Sequence, residues 1–269
     1  MKDKIDIQNL EDKRNVTIDK VGIKNLRYPI IVDDKVNGSQ NTVADLDMFV
    51  ELPHQHRGTH MSRFLEVLNH YHKENFINSL PEFLKDLKKA LNADASYVSI
   101  SFPYFIKKTA PVSKIESLLS YNCFFEASMS DEFQMKIGVE VPVTTLCPCS
   151  KEISDYGAHS QRSYVVVKLS YIEFIWLEEI IEIVEDSASC EVYPLLKRVD
   201  EKYVTEKAYD NPTFVEDIVR DITVKLQQDK RIGWFKVESE NLESIHKHNA
   251  YACVERKTNN PVGIVERKS

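Results

Sequence analysis

The strongest constraint in this 269-residue chain is the order in which its periodic segments recur. In the first half, the strand-like stretch TVADLDMFVELP precedes helix patterns at THMSRFLEVLNHYHKE and SLPEFLKDLKKALN. Strands at ASYVSISFPYFIKK, YNCFFEASMS and EFQMKIGVEVPVTTL follow, and a short SDE turn between the last two predicts a hairpin. The second half repeats the plan. RSYVVVKLSY leads to a helix at IWLEEIIEIVEDS and a second at NPTFVEDIVRDITVKLQQD, and WFKVESEN and AYACVERK close as strands. Strand, helix pair and strand pair thus occur twice, which predicts an α+β chain made by internal duplication of an antiparallel sheet carrying helices on one face. The predicted divisions are an N-terminal arm over 1–20, a first module over 21–150 and a second over 151–269. Ser79 with Glu82 predicts a capping box ahead of an apolar stripe of Leu80, Phe83, Leu84, Leu87 and Leu91. Asn211 is the expected cap of the last helix, with Pro212 in its first turn.

Composition narrows the function. At 42% hydrophobic and 29% charged residues the chain reads as a soluble globular protein able to bury its own core. A formal charge of −7 gives no support for nucleic-acid binding, so an anionic small substrate would need a local basic pocket. Seven glycines argue against a Gly-rich phosphate loop. The opening MKDKIDIQNLEDKRNVTIDK lacks the apolar core of a secretory signal, and glutamates interrupt the most apolar run, YIEFIWLEEIIEIVEDS. A cytoplasmic protein with no membrane partner is expected. Five cysteines, an odd number, then favour metal binding or catalysis over a disulfide framework.

Four clusters carry the chemistry. Residues two apart on an extended chain point to the same side, so Cys147 and Cys149 are expected to face one site at a strand end where Pro148 stops further pairing. His159 adds an imidazole, and thiolate with imidazole is a donor set that Zn²⁺ and related ions select. Metal binding, thiol chemistry and simple packing all remain open for this stretch. His246 and His248, just after Glu243, are expected on one face of a strand, as ligands, acid–base groups or solvated side chains. Cys147, His159 and His246 with one carboxylate would make a mixed site with room for water. Glu201 and Glu216 stand among many acids, and by itself Glu216 reads as an i,i+4 surface pair with Arg220 worth about 0.3 kcal/mol. The stretch HQHRGTHMSRF gathers His54, His56, Arg57, His60 and Arg63 around Gly58 and a candidate N-cap, Thr59, as an anion site or a solvated basic loop. His70 and His72 read as helix surface without a role.

At these residues a resemblance becomes visible. GTHMSRF, PVTTLCPCSKEISDYGAHSQRS, YDNPTFVEDIVRD and ESIHKHNAYA resemble, in order, the four signature blocks of the type IB GTP cyclohydrolase family, over roughly residues 20–256. The resemblance implies tandem tunnelling-fold (T-fold) modules whose sheets join into a barrel, in a homotetramer with active sites at subunit interfaces. It implies hydrolysis of GTP to 7,8-dihydroneopterin triphosphate and formate, the entry to folate and related pterins, with a divalent ion, Mn²⁺, Zn²⁺ or Fe²⁺. Under it Cys147 is the metal ligand, and Glu201, His159 and His246 complete or adjoin the coordination sphere. Cys147, His159 and His248 are the catalytic candidates, and Glu216 anchors guanine through its N–H groups. Arg57, His60 and Arg63 are the candidate triphosphate contacts. Cys149 is left as a thiol beside the ligands, a substrate contact or an alternative ligand. Two rival readings are a metal- or thiol-buffering protein without turnover and the deazaguanine nitrile reductase of the same fold, whose nicotinamide-binding block has no match here.

Overall fold

The computed structural model describes residues 8, 10–71 and 75–258. The end of the first predicted helix, including His72, and residues 1–7 and 9 of the predicted arm lie outside the described residues. The chain forms two compact units, one of residues Met1–Phe102 and Phe124–Lys136, the other of Pro103–Cys123 and Ile137–Ser269.

In the first unit, β1 (Ile18–Asp34) and β2 (Gly38–Leu52) make a long antiparallel hairpin, and β2 also pairs with the start of β3 (Ser96–Thr109). β1 begins inside the expected arm and is a strand beyond those expected, although its turn is legible in the sequence. Asp34 Oδ1 accepts the amides of Val36 (2.9 Å) and Asn37 (2.7 Å), and Gly38, paired with Asp34 across a three-residue loop, takes φ +80°, the left-handed conformation that returns such a loop to the strand. Burial raises the Asp34 carboxyl, but these hydrogen bonds outweigh it and hold the group below its ordinary range. Strict alternation along β2 buries Ala44, Leu46, Met48, Val50 and Leu52 on one face. Helices α1 (Met61–Asn69) and α2 (Leu80–Leu91) supply the apolar stripes of this unit. In α2 the stripe is as expected, with Leu80, Phe83, Leu84 and Leu87 fully buried and Leu91 partly so. Truncating Phe83 to Ala would cost about 3–5 kcal/mol. The expected capping box does not form. Ser79 is the N-cap, but its hydroxyl donates to the Asn75 carbonyl at 3.4 Å instead of capping the helix.

The second unit takes the remainder of β3, most of β4 (Glu116–Met129) and β5 (Phe133–Leu146). A six-residue helix, α3 (Pro148–Ile153), then leads into β6 (Ser160–Tyr171), which pairs antiparallel with β5. Next come α4 (Leu177–Glu185), the two-residue β7 (Cys190–Glu191) paired to β5, α5 (Arg198–Asp210) and α6 (Val215–Gln228). β8 (Ile232–Asn241) pairs with β6, and β9 (Ala250–Lys257) pairs with β8. Val165, Val167 and Leu169 of β6 and Phe235 and Val237 of β8 are buried, as are Ile180, Ile181 and Val184 of α4 and Ile218, Val219 and Ile222 of α6. Burying each such side chain stabilises by about 1.5–3 kcal/mol. The missed helix α5 buries little besides Asp200 and Ala208, so it lacks the apolar stripe by which a helix is recognised. What holds it is the Asp200 carboxylate, which accepts the amides of Val112, Ser113 and Lys197 and the Ser113 hydroxyl. Among the described residues no helix is long and apolar enough to cross a membrane.

Candidate active site

Pro148 ends β5 and starts α3, since its ring fixes φ for the first helical turn and removes an amide that has no partner there. Cys147 is left as the extended N-cap (φ −70°, ψ 116°), while Cys149 is already helical. The expectation that both thiols face one side therefore fails, because the extended run that would align positions two apart ends at Cys147, and Cys147 lines the cavity described below while Cys149 does not. Cys147 is half-buried and Cys149 exposed. The return to β6 is clipped at its base. Cys147 N–H donates to the His159 carbonyl (3.0 Å), and Ser150 Oγ donates to the Cys147 carbonyl (3.1 Å) while accepting His159 N–H (3.2 Å). Gly157 turns the connecting chain at φ +144°.

This clip is one wall of a cavity of about 280 Å³ lined by Cys147, His159, Gln161, Glu216, Asn241, Glu243, His246 and His248. Thr213 N–H donates to the Leu146 carbonyl (3.0 Å), tying the entry of α6 to the end of β5 and placing Glu216 in the first turn of α6 at the cavity. The cap of α6 differs from expectation. Asn211 closes α5 by donating to the Lys207 carbonyl (2.8 Å), and Phe214 is the N-cap, its amide held by Asp217 Oδ2 at 3.3 Å. Arg220 pairs with Asp217 (3.2 Å) and not with Glu216, so the expected surface pair is absent and the Glu216 carboxylate is left at the positive end of the helix.

His246 and His248 lie not on a strand but in the loop joining β8 to β9, their rings stacked with centroids 5.1 Å apart and planes inclined by 12°. His159 Nδ1 lies 2.9 Å from Gln161 Oε1 and 3.8 Å from Glu243 Oε2. Gln161 and Asn241 were not anticipated. The alternation of QRSYVVV, which puts Gln161 on the buried face with Ser163 and Val165, was the available signal.

Four expected site residues, Glu201, Arg57, His60 and Arg63, lie away from this cavity's lining. Glu201 is exposed in the first turn of α5. His60 is the N-cap of α1, displacing the expected Thr59, and Arg63 donates from Nη1 to the Ala90 carbonyl at 3.0 Å. Both belong to the first unit. Beside them the amides of Arg57 and Gly58 are taken by the carbonyls of Leu10 (3.0 Å) and Gln8 (3.1 Å) and are not open to an anion. The thiol, imidazoles and carboxylates lining the cavity are the donor types a borderline divalent ion selects, so their chemistry fits a metal. Among the described residues, no three His, Cys, Asp or Glu side chains converge on a common point.

The family model described as type I GTP cyclohydrolase folE2 matches residues 5–252. The GTP cyclohydrolase FolE2 of Geobacter sp. (strain M21) is 54% identical over 251 residues, covering 93% of this chain and 94% of that protein. The protein of the same name from Fervidobacterium nodosum is 55% identical over 250 residues, covering 93% and 96%. Among solved structures, a highly active mutant of Bacillus sp. TB-90 urate oxidase aligns at TM-score 0.56 and 9% identity, over 90% of this chain and all of that one. A uricase from Bacillus fastidious aligns at TM-score 0.54 and 7% identity, over 91% and 93%. At such identities the likeness speaks to the fold alone, an α+β chain with antiparallel sheet.

Proposed function

This chain belongs to the type I GTP cyclohydrolase folE2 family, and we propose that the cavity between Cys147 and His248 is where it opens the guanine ring of GTP. It is a GTP cyclohydrolase of folate biosynthesis. The narrower type IB designation is our own reading of the four sequence blocks. The observation that carries the site assignment is that Cys147, His159, Glu216, His246 and His248, drawn from three separate sequence blocks, line one cavity.

Glu216 binds guanine there. A carboxylate only accepts hydrogen bonds, and the guanine edge offers adjacent N–H donors, so the match is of type as well as charge. An imidazole, His159 or His248, moves protons to N7 and N9 as the imidazole ring of guanine opens and formate leaves. Cys147, His159 and His246 are the residues of this cavity we assign to a divalent ion, Mn²⁺, Zn²⁺ or Fe²⁺, and Glu201, which lies outside the cavity lining of its own chain, is assigned as the carboxylate that a neighbouring subunit would bring. Such an ion, when bound, supplies hydroxide at neutral pH by lowering the pKa of its water. The products are 7,8-dihydroneopterin triphosphate and formate.

We retain His60 and Arg63 as triphosphate contacts, since the Ala90 carbonyl occupies one of the five guanidinium donors of Arg63. An Arg63→Ala variant with unchanged GTP affinity removes that role. The sheets are proposed to join into the barrel of a cytoplasmic homotetramer with sites completed at subunit interfaces, which sedimentation of the intact protein tests.

The deciding experiment strips the protein of metal and restores Mn²⁺, Zn²⁺ or Fe²⁺ separately, following neopterin fluorescence and formate with Cys147→Ala as control. Metal-dependent product that the control lacks is the expected result. A folded protein that makes no product with any of the three moves the assignment to metal binding without turnover.

A further inference from the structure

His159 has acceptors on one side. Gln161 Oε1, at 2.9 Å from Nδ1, is an amide oxygen and only accepts, and the Glu243 carboxylate stands 3.8 Å from the same nitrogen. Nδ1 therefore carries the proton. The orientation of Gln161 is in turn dictated from a distance. Ser163 Oγ donates its one proton to Asn241 Oδ1 (2.7 Å), so in its 2.7 Å contact with Thr145 Oγ1 it must accept. Thr145, having given its proton to Ser163, accepts from Gln161 Nε2 (2.9 Å), and this turns Gln161 Oε1 toward the imidazole. Strand register supports the row, since Thr145 lies opposite Gln161 across β5 and β6, and Ser163 opposite Asn241 across β6 and β8. All four side chains are buried, Gln161 the least at 8% exposed, and the two middle members, Thr145 and Ser163, are closed to water.

We propose that Asn241, Ser163, Thr145 and Gln161 form a polarised hydrogen-bond relay that, with Glu243, holds His159 as its Nδ1–H tautomer and leaves the Nε2 lone pair for the cavity. These four are positioning residues for His159. What the lone pair then does, binding an ion or taking a proton, rests on the function proposed above, because a neutral imidazole has one lone pair and the wrong tautomer would offer an N–H instead.

The test reads the tautomer directly. The full-length protein, labelled with ¹⁵N-histidine and stripped of metal, is recorded by long-range ¹H–¹⁵N correlation at about two pH units above the ordinary histidine pKa. His159 is assigned by its disappearance in His159→Asn. Wild type is expected to show a protonated Nδ1 and a bare Nε2. Gln161→Met, close in shape but without hydrogen bonds, is expected to lose that pattern in favour of Nε2–H, the form an unconstrained imidazole prefers, and to bind Mn²⁺ about 10–100-fold more weakly. Gln161→Glu, which keeps an acceptor at that point, is expected to restore Nδ1–H. If Gln161→Met does not fold, Ser163→Ala decides, since it breaks the relay two links away and is expected to leave a mixture of tautomers. Nε2–H in wild type, or an unaltered Nδ1–H pattern in a folded relay variant, overturns the inference. Failure of the activity assignment reads differently, as an Nδ1–H wild type that makes no neopterin with any restored metal.

Discussion

The Cys147 amide donates to the His159 carbonyl across 3.0 Å, so two residues twelve apart in the chain open and close one turn. Ser150 doubles the closure by bonding both. Replacing Ser150 by Ala removes two hydrogen bonds, for a stability loss of about 1–3 kcal/mol. Because the loop sets where the thiol and imidazole stand, kcat/KM is expected to fall about tenfold or more while KM for GTP changes little. Steady-state kinetics beside a thermal melt checks this, and an unchanged kcat with a lowered Tm would reduce the clip to a structural one.

The divergence of the two thiols predicts unequal variants. Cys147→Ser is expected to abolish turnover and lower metal content, whereas Cys149→Ser, exposed on α3, is expected to keep kcat within about a factor of two, ~0.4 kcal/mol of barrier. Metal analysis after dialysis and a formate assay measure both. Equal losses would place Cys149 among the ligands.

Glu216 should govern base selection. Glu216→Gln presents an N–H where guanine also presents one, and is expected to lower kcat/KM for GTP by about 10–100-fold, in line with about 1.5–3 kcal/mol for a hydrogen bond to a charged group. The preference of wild type for GTP over inosine triphosphate, which lacks the exocyclic amine, is expected to collapse in Glu216→Ala. Competition between the two substrates measures it, and an intact preference would remove Glu216 from the guanine edge.

Stability should depend on pH through Glu191. Burial raises its carboxyl, but bonds from Lys207 and Tyr193 outweigh this and bring it down to about 2 from 4.5. A depressed carboxylate stabilises the fold above its unfolded pKa and loses that contribution as pH falls through the folded one. Glu191→Gln is expected to destabilise by on the order of 1–3 kcal/mol at neutral pH. The gap in Tm from wild type should narrow between pH 4.5 and about 2. Melts across that range test it, and a gap independent of pH would show that packing and not charge is lost. The neighbouring Cys190 thiol, pushed up to about 12 by burial and then by Glu191, is expected to resist alkylation in the native protein at pH 8 or so.

Legibility followed the range of the forces involved. Long alternating runs such as β5, β6 and β8 and the stripe of α2 were readable, because burial of one face imposes a period of two or 3.6 on the residues themselves. The four blocks likewise pointed to the GTP cyclohydrolase family, and Cys147, His159, Glu216, His246 and His248, singled out from them, line one cavity. Local signals failed where two partners competed. Ser79 and Asn211 were good caps by type, yet one bonds the Asn75 carbonyl and the other closes the preceding helix. Cys149 left the shared face because Pro148 began a helix instead of merely ending a strand. The stacked His246 and His248 took a loop instead of a strand face. The proton order on His159 lay beyond any local pattern. It depends on Asn241 reaching Thr145 through Ser163, three residues that only strand pairing brings into one row, and hydrogen-bond direction is set by what lies opposite in space, not by what comes next in the chain.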